Sequence, residues 1–341
     1  MPMSQPESAG PDLPSPIAEL HLHLEGTLEP ETIFALAARN QLALPYRDQD
    51  DLRARYEFDN LQSFLDLYYA NMAVLRTSAD FETLTWTYAQ RAHQAGVRHA
   101  EVFVDPQAHT ARGISCSALL RGVWSGLQRA ESELGITSGI IVCIVRDRPV
   151  FEARQALEDC LSAGIPLLGL GLDSAEVGHP PSLFQEVFAA AADSNLRRVA
   201  HAGEEGPPEY VWEALDLLGV ERIDHGVRCL EDDTLVRRLV DEQIPLTVCP
   251  MSNVRLKVID HLRDHPLRRM LDRGLLVTVN SDDPAYFGGY LHDNVTAVTR
   301  ALGLTAEERR TLAENSFRAS FLPDADKERH LAAVAAAADR D

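Results

Sequence analysis

Eight short apolar segments, each closed by polar residues and nearly all followed by a stretch of helical pattern, leave this chain few folds. They fall at 17–23, 99–104, 139–145, 166–172, 198–202, 222–225, 245–249 and 276–280. Runs such as Ile140-Ile141-Val142-Cys143-Ile144-Val145 are apolar throughout instead of alternating, as in strands of a parallel sheet covered on both faces. Helical patterns follow at 116–133, 150–163, 181–193, 209–218, 234–241 and 265–273. Eight such units predict an α/β fold of the (β/α)8 TIM-barrel type, whose chemistry sits at the C-terminal ends of the strands. A doubly wound sheet is the fallback, and no G-x-G-x-x-G follows the first strand. The rhythm breaks once, at 30–96, where helical segments at 31–40, 61–77 and 81–95 read as an insertion over a site. Asp59 or Asn60 is expected to cap the second of these and Ser78 the third. Two further helices, 306–320 and 325–338, close the chain. With no repeat or linker, 17–341 reads as one domain behind a Pro- and Ser-rich lead-in, 1–16, that is expected to be disordered and is no signal peptide.

The polar strand ends concentrate the chemistry. The first strand ends His21-Leu22-His23, and side chains two apart share a face, so both imidazoles can grip one ion. The fifth runs into Arg197-Arg198-Val199-Ala200-His201-Ala202-Gly203-Glu204-Glu205-Gly206. There a histidine offers a metal-binding nitrogen and a glutamate three residues on can move protons. A capped strand-to-helix loop with acids at a helix N-terminus would also account for that stretch. The sixth ends Asp224-His225-Gly226, where His225 is a further ligand or a base beside the metal. The eighth ends Asn280-Ser281-Asp282-Asp283-Pro284, where an acid can complete a ligand set or simply turn the chain before proline. After the seventh, Ser252 and Asn253 read as loop braces and Cys249 as a small buried hydrophobe. Three imidazoles, one carboxylate and an open position for water describe a catalytic zinc site rather than a closed structural one.

The formal charge of -20 would repel nucleic acid and anionic membranes and suits a neutral or cationic small substrate. No apolar run is long enough to span a bilayer. Five cysteines without a C-x-x-C pair read as reduced thiols and a cytoplasmic address. The two lysines, Lys257 and Lys327, lie away from the strand ends, which argues against a two-metal phosphoesterase bridged by a modified lysine. No cluster of Arg and Lys suggests a phosphate pocket.

Taken together, Glu19-Leu20-His21-Leu22-His23-Leu24-Glu25-Gly26, His201-Ala202-Gly203-Glu204, Asp224-His225-Gly226 and Ser281-Asp282-Asp283-Pro284 resemble the adenosine/adenine deaminase family of zinc hydrolases, in the family's order and across most of the chain. The resemblance implies a metal-dependent hydrolase barrel with one Zn2+ per chain held by His21, His23, His201 and Asp282. It further implies that Glu204 protonates the purine ring, that His225 orients the attacking water and takes its proton, and that Asp283 bonds the five-membered edge. The H-x-E with P-C-x-x-C signature of cytidine-type deaminases is absent. Where adenosine-acting relatives typically carry aspartate, this chain has Glu25; where they typically carry a glycine, it has Glu176. Both acids are expected to meet the substrate, where a sugar would otherwise lie. The expected reaction is therefore hydrolysis of a purine base, adenine to hypoxanthine and ammonia, in purine salvage. Adenosine, another 6-aminopurine, or a zinc-bound scaffold without catalysis are the alternatives.

Overall fold

The computed structural model describes residues 16–338. The lead-in expected at 1–16 thus lies, apart from residue 16, outside the described residues. Eight parallel strands follow in chain order: β1 (Ile17–His23), β2 (Val97–Val104), β3 (Thr137–Val145), β4 (Gly169–Asp173), β5 (Arg197–Ala202), β6 (Arg222–His225), β7 (Leu246–Val248) and β8 (Val277–Val279). Each pairs with the next. The ring closes where Leu22 bridges Asp282. There His23 N–H donates to the Asp282 carbonyl at 3.0 Å and Asp282 N–H to the His21 carbonyl at 3.1 Å. The result is a nearly closed (β/α)8 barrel, as the alternation of segments predicts.

The core has an inner and an outer layer. Phe103, Ile141, Cys143 and Val199 fill the barrel interior, and a much larger apolar cluster joins the strands to the surrounding helices. At the N-terminal mouth Arg222 of β6 reaches across to Glu101 of β2, Nη1 to Oε2 2.5 Å, both side chains fully buried. Arg222 also donates to the Ala319 carbonyl, and Phe321 N–H donates to Glu101. The segment before the last helix, Asp324–Ala338, therefore plugs the end of the barrel away from the chemistry.

The insertion after β1 is helical, with Pro30–Arg39, Gln49–Arg53, Leu61–Asn71 and Ser78–Gln94. Asn60 caps the third as expected, accepting from Ser63 N–H. Thr77, one residue before the expected Ser78, forms a capping box with Asp80 at the fourth. Short helical turns begin with proline directly after β2, β7 and β8, at Pro106–Thr110, Pro250–Arg255 and Pro284–Phe287; proline is pre-set for a first helical position. The 209–218 segment is α-helical at Pro208–Glu213 and widens to a π-helical turn at Ala214–Leu218. No helix among the described residues is long and apolar enough to cross a membrane.

Candidate active site

At the C-terminal mouth four side chains from three strand ends converge. His21 and His23 leave β1 on one face, His201 comes from β5, and Asp282 follows β8. Nε2 of His23 lies 3.1 Å from Nε2 of His201. Asp282 Oδ1 is 3.4 Å from His21 Nε2 and 3.5 Å from His23 Nε2. A tetrahedral ion with ligand bonds of about 2.0–2.1 Å separates its ligand atoms by roughly 3.3 Å. The spacing fits, and all four residues are buried. His21 Nε2 has no hydrogen-bond partner despite that burial.

The far ring nitrogens explain why these near ones point inward. His21 Nδ1 meets the Thr247 carbonyl at 3.2 Å and its hydroxyl at 3.0 Å. The Thr247 hydroxyl donates to Asp224 at 2.8 Å. His201 Nδ1 faces Asp224 at 3.7 Å, and His23 Nδ1 faces Asp173 at 3.6 Å. Each imidazole is thereby turned with Nε2 toward the centre, the arrangement that outer oxygens impose on metal-bound histidines. The cluster is a buried His/Asp metal-binding group.

Beside it stand the candidate proton carriers. His225 Nε2 is 3.5 Å from Glu204 Oε2 and 3.7 Å from Asp282 Oδ2. Burial, then the charges of Asp282 and Glu176, hold the Glu204 carboxyl well above the usual carboxylate range. Burial, then the neighbouring His21, push His225 down to about 3. The two shifts run in the directions that suit a proton donor and a proton acceptor. Asn253 joins them, its amide nitrogen 3.4 Å from Glu204 Oε1 and 3.4 Å from His225 Nδ1, while its oxygen faces His265 Nε2 at 3.2 Å. The loop brace read from sequence thus connects acid and base. His225 and Asp282 both have φ of +63°, and Ser174 beside them +72°. Such strain collects where the surroundings over-determine a functional geometry.

Asp283 lines the same pocket. Burial, then the charge of Asp282, raise its carboxyl well above the usual range. Gly26 approaches it so closely that a β-carbon there would collide with the carboxylate. The roof is apolar: Leu61, Phe64, Leu65, Tyr68 and Tyr69 from the helix Leu61–Asn71, with Leu256 and Phe287. The insertion covers the site, as expected.

Glu25 and Glu176, expected to meet the substrate, are both held by hydrogen bonds within the protein. Glu25 Oε1 accepts from His109 Nε2 at 2.8 Å and from the Asp105 N–H at 3.2 Å, so it braces the end of β2. Glu176 accepts backbone N–H from Gly203, Glu204, Glu205 and Gly206 at 2.6, 3.1, 2.8 and 2.7 Å. It holds the turn that presents Glu204 and adds a charge against that acid. A β-carbon on Gly206 would lie 2.5 Å from Glu176 Oε1, so the cradle needs glycine there.

Sequence reasoning passed over Asp105 and Asp173, which also line the pocket. Burial and then the neighbouring Asp173 raise Asp105 well above the usual range, and burial pushes Asp173 up to about 7. Asp105-Pro106 at the end of the second apolar segment was the available signal: a polar strand end like the others, without a histidine to draw notice.

Comparison with known proteins gives a consistent picture. The family model described as adenosine deaminase matches residues 16–337. A protein of Streptomyces coelicolor named adenine deaminase is 59% identical over 326 residues, 95% of this chain and 96% of that one. Another of that name from Sphingopyxis alaskensis is 55% identical over 319 residues, 94% of each. The crystal structure of adenine deaminase from Arthrobacter aurescens superposes with a TM-score of 0.93 at 55% identity, covering 94% of this chain and 98% of that one. An amidohydrolase from Burkholderia ambifaria with bound Zn superposes with a TM-score of 0.86 at 27% identity, covering 96% and 91%.

Proposed function

The chain belongs to the adenosine deaminase family, and from that premise we infer its reaction: it deaminates adenine, converting adenine and water to hypoxanthine and ammonia. The observation that carries this is full-length similarity to adenine deaminases, at 59% identity over 95% of the chain in one relative.

The ion that best suits His21, His23, His201 and Asp282 is a single zinc. Three imidazoles and a carboxylate around a buried centre, and the Zn bound by the amidohydrolase relative, support that reading. Zinc bound there would make water available as a nucleophile at neutral pH. The chain's own groups do the rest. Carbon 6 of adenine resists attack until the adjacent N1 is protonated, and Glu204, buried and protonated, is the donor. His225, neutral and 3.5 Å from that carboxyl, is placed to orient the water and take its proton. Asp283, with a raised carboxyl, donates to N7 on the five-membered edge. The apolar roof excludes bulk water while the proton moves.

The substrate is a small purine base. A single eight-stranded ring in chain order supports treating 17–341 as a single domain, and five free, buried cysteines support a reducing, cytoplasmic setting. The test is ammonia release from purified, metal-analysed protein given adenine and adenosine side by side. Faster release from adenine is expected; faster release from adenosine would overturn the substrate, and release from neither would overturn the reaction.

A further inference from the structure

With Glu25 bonded to His109 and the Asp105 N–H, and Glu176 occupied by four backbone N–H groups, a further source of the preference for a free base is needed. Asp105 and Asp173 supply one. They are 1% and 2% exposed, they line the pocket, and Oδ1 of each has no hydrogen-bond partner. Their carboxyls lie within 4.8 Å of each other and of His23. Two buried acids left with free oxygens would cost several kcal/mol unless something arrives to meet them.

The barrel's order says which part of a purine meets them; this step rests on the adenine reading above. Carbon 6 must face His225 at the end of β6. N1 then faces Glu204 after β5, and N7 faces Asp283 after β8. Strand β2 stands across the barrel from β6, as the Arg222–Glu101 pair one level down demonstrates. The edge of the ring remote from carbon 6 therefore points toward the ends of β2 and β4, with N3 toward Asp173 and N9 toward Asp105. In a free base N9 can carry hydrogen and donate; in a nucleoside it carries the sugar and cannot. An unpartnered carboxyl oxygen is the acceptor that tells the two apart, and a pocket built to receive a hydrogen bond rejects analogues lacking it far more strongly than an apolar pocket does.

We propose that Asp105, backed by Asp173, accepts the N9–H of the purine and is the residue that selects the free base over the nucleoside. Asp173 also faces His23, so Asp105 is the cleaner position to change.

The experiment compares adenine with 9-methyladenine, which keeps every group except the N9 hydrogen, in the zinc-loaded wild type and in Asp105→Ala. The wild type should favour adenine by roughly 10- to 100-fold in kcat/KM, the cost of leaving a buried acceptor without its hydrogen bond. Asp105→Ala should lose that factor on adenine, chiefly through KM, keep its metal, and turn over 9-methyladenine no worse than before. Equal losses on both substrates would make Asp105 a structural residue and overturn the proposal. A second arm needs no variant: hypoxanthine should compete with adenine roughly 10-fold or more better than 9-methylhypoxanthine does, and equal competition would also overturn it. A wild type inert toward adenine would instead sink the reaction assigned above, which separates the two failures.

Discussion

The acid role proposed for Glu204 requires that it hold its proton, and burial beside Asp282 and Glu176 raises its carboxyl well above the usual range. Activity should therefore persist through neutral pH and fall as pH rises through that raised value. Glu204→Gln should keep its metal, lose roughly 10²-fold or more in kcat, the scale of general acid catalysis, and lose the alkaline limb. Turnover and metal analysis on the same sample check this; a variant with full rate would remove Glu204 from the chemistry. His21 and His23 could be read as a pair from sequence because alternation along a strand fixes which way each side chain faces. Glu25 and Glu176 could not be read this way. Both sit in turns, where direction is set by partners distant in sequence: His109, 84 positions on, and the loop amides 27 to 30 positions on. Asp105 was missed because a lone acid before proline has the look of a turn.

At the scale of elements, the turn Gly203–Gly206 after β5 depends on one carboxylate from the turn after β4. Glu176→Gln replaces one acceptor oxygen with a donor facing backbone N–H groups and removes a negative charge near Glu204. Two effects follow. The fold should lose roughly 1–3 kcal/mol, the cost of unsatisfied buried donors, visible in the denaturant midpoint. The alkaline limb should move to lower pH, since less charge opposes ionisation of Glu204. An unmoved pH profile would mean that Glu176 holds the turn without acting on the acid. The strands themselves were legible because covered parallel strands are apolar throughout. Their starts were not: β2 and β3 begin two residues earlier than the apolar pattern, at Val97 and Thr137, in mixed polar sequence. The helix Leu291–Leu302 went unread, although its apolar positions Leu291, Val295 and Val298 are buried at helical spacing.

Across the whole molecule, the Glu101–Arg222 pair ties opposite walls of the barrel. Burial alone would raise the Glu101 carboxyl, but Arg222, with help from His99, holds it at about 2. Its folded value is thus depressed below that of an ordinary glutamate, 4.5, so its contribution is complete above that value and is lost as pH falls toward 2. The contribution is about 3 kcal/mol by linkage. Glu101→Gln should flatten the decline in urea midpoint over that acid window. Arg222→Met, which strands a buried charge, should cost roughly 3–5 kcal/mol at neutral pH. Wild-type stability that ignores this window would rule the pair out as an acid sensor. The seam between β1 and β8 has a different consequence. Barrel closure rests there on the Leu22–Asp282 bridge, and His21, His23 and Asp282 straddle it. These residues come from nearly opposite ends of the chain, so an ion gripping all three acts as a rivet in a hoop. Stripping it with a chelator should leave most of the wall intact but speed hydrogen exchange at the amides of His23 and Asp282, where the hoop is fastened. Losing the reagent and springing the seam would then be a single event, and a chain without its ion would be marked for proteolysis at the place where it had also ceased to work.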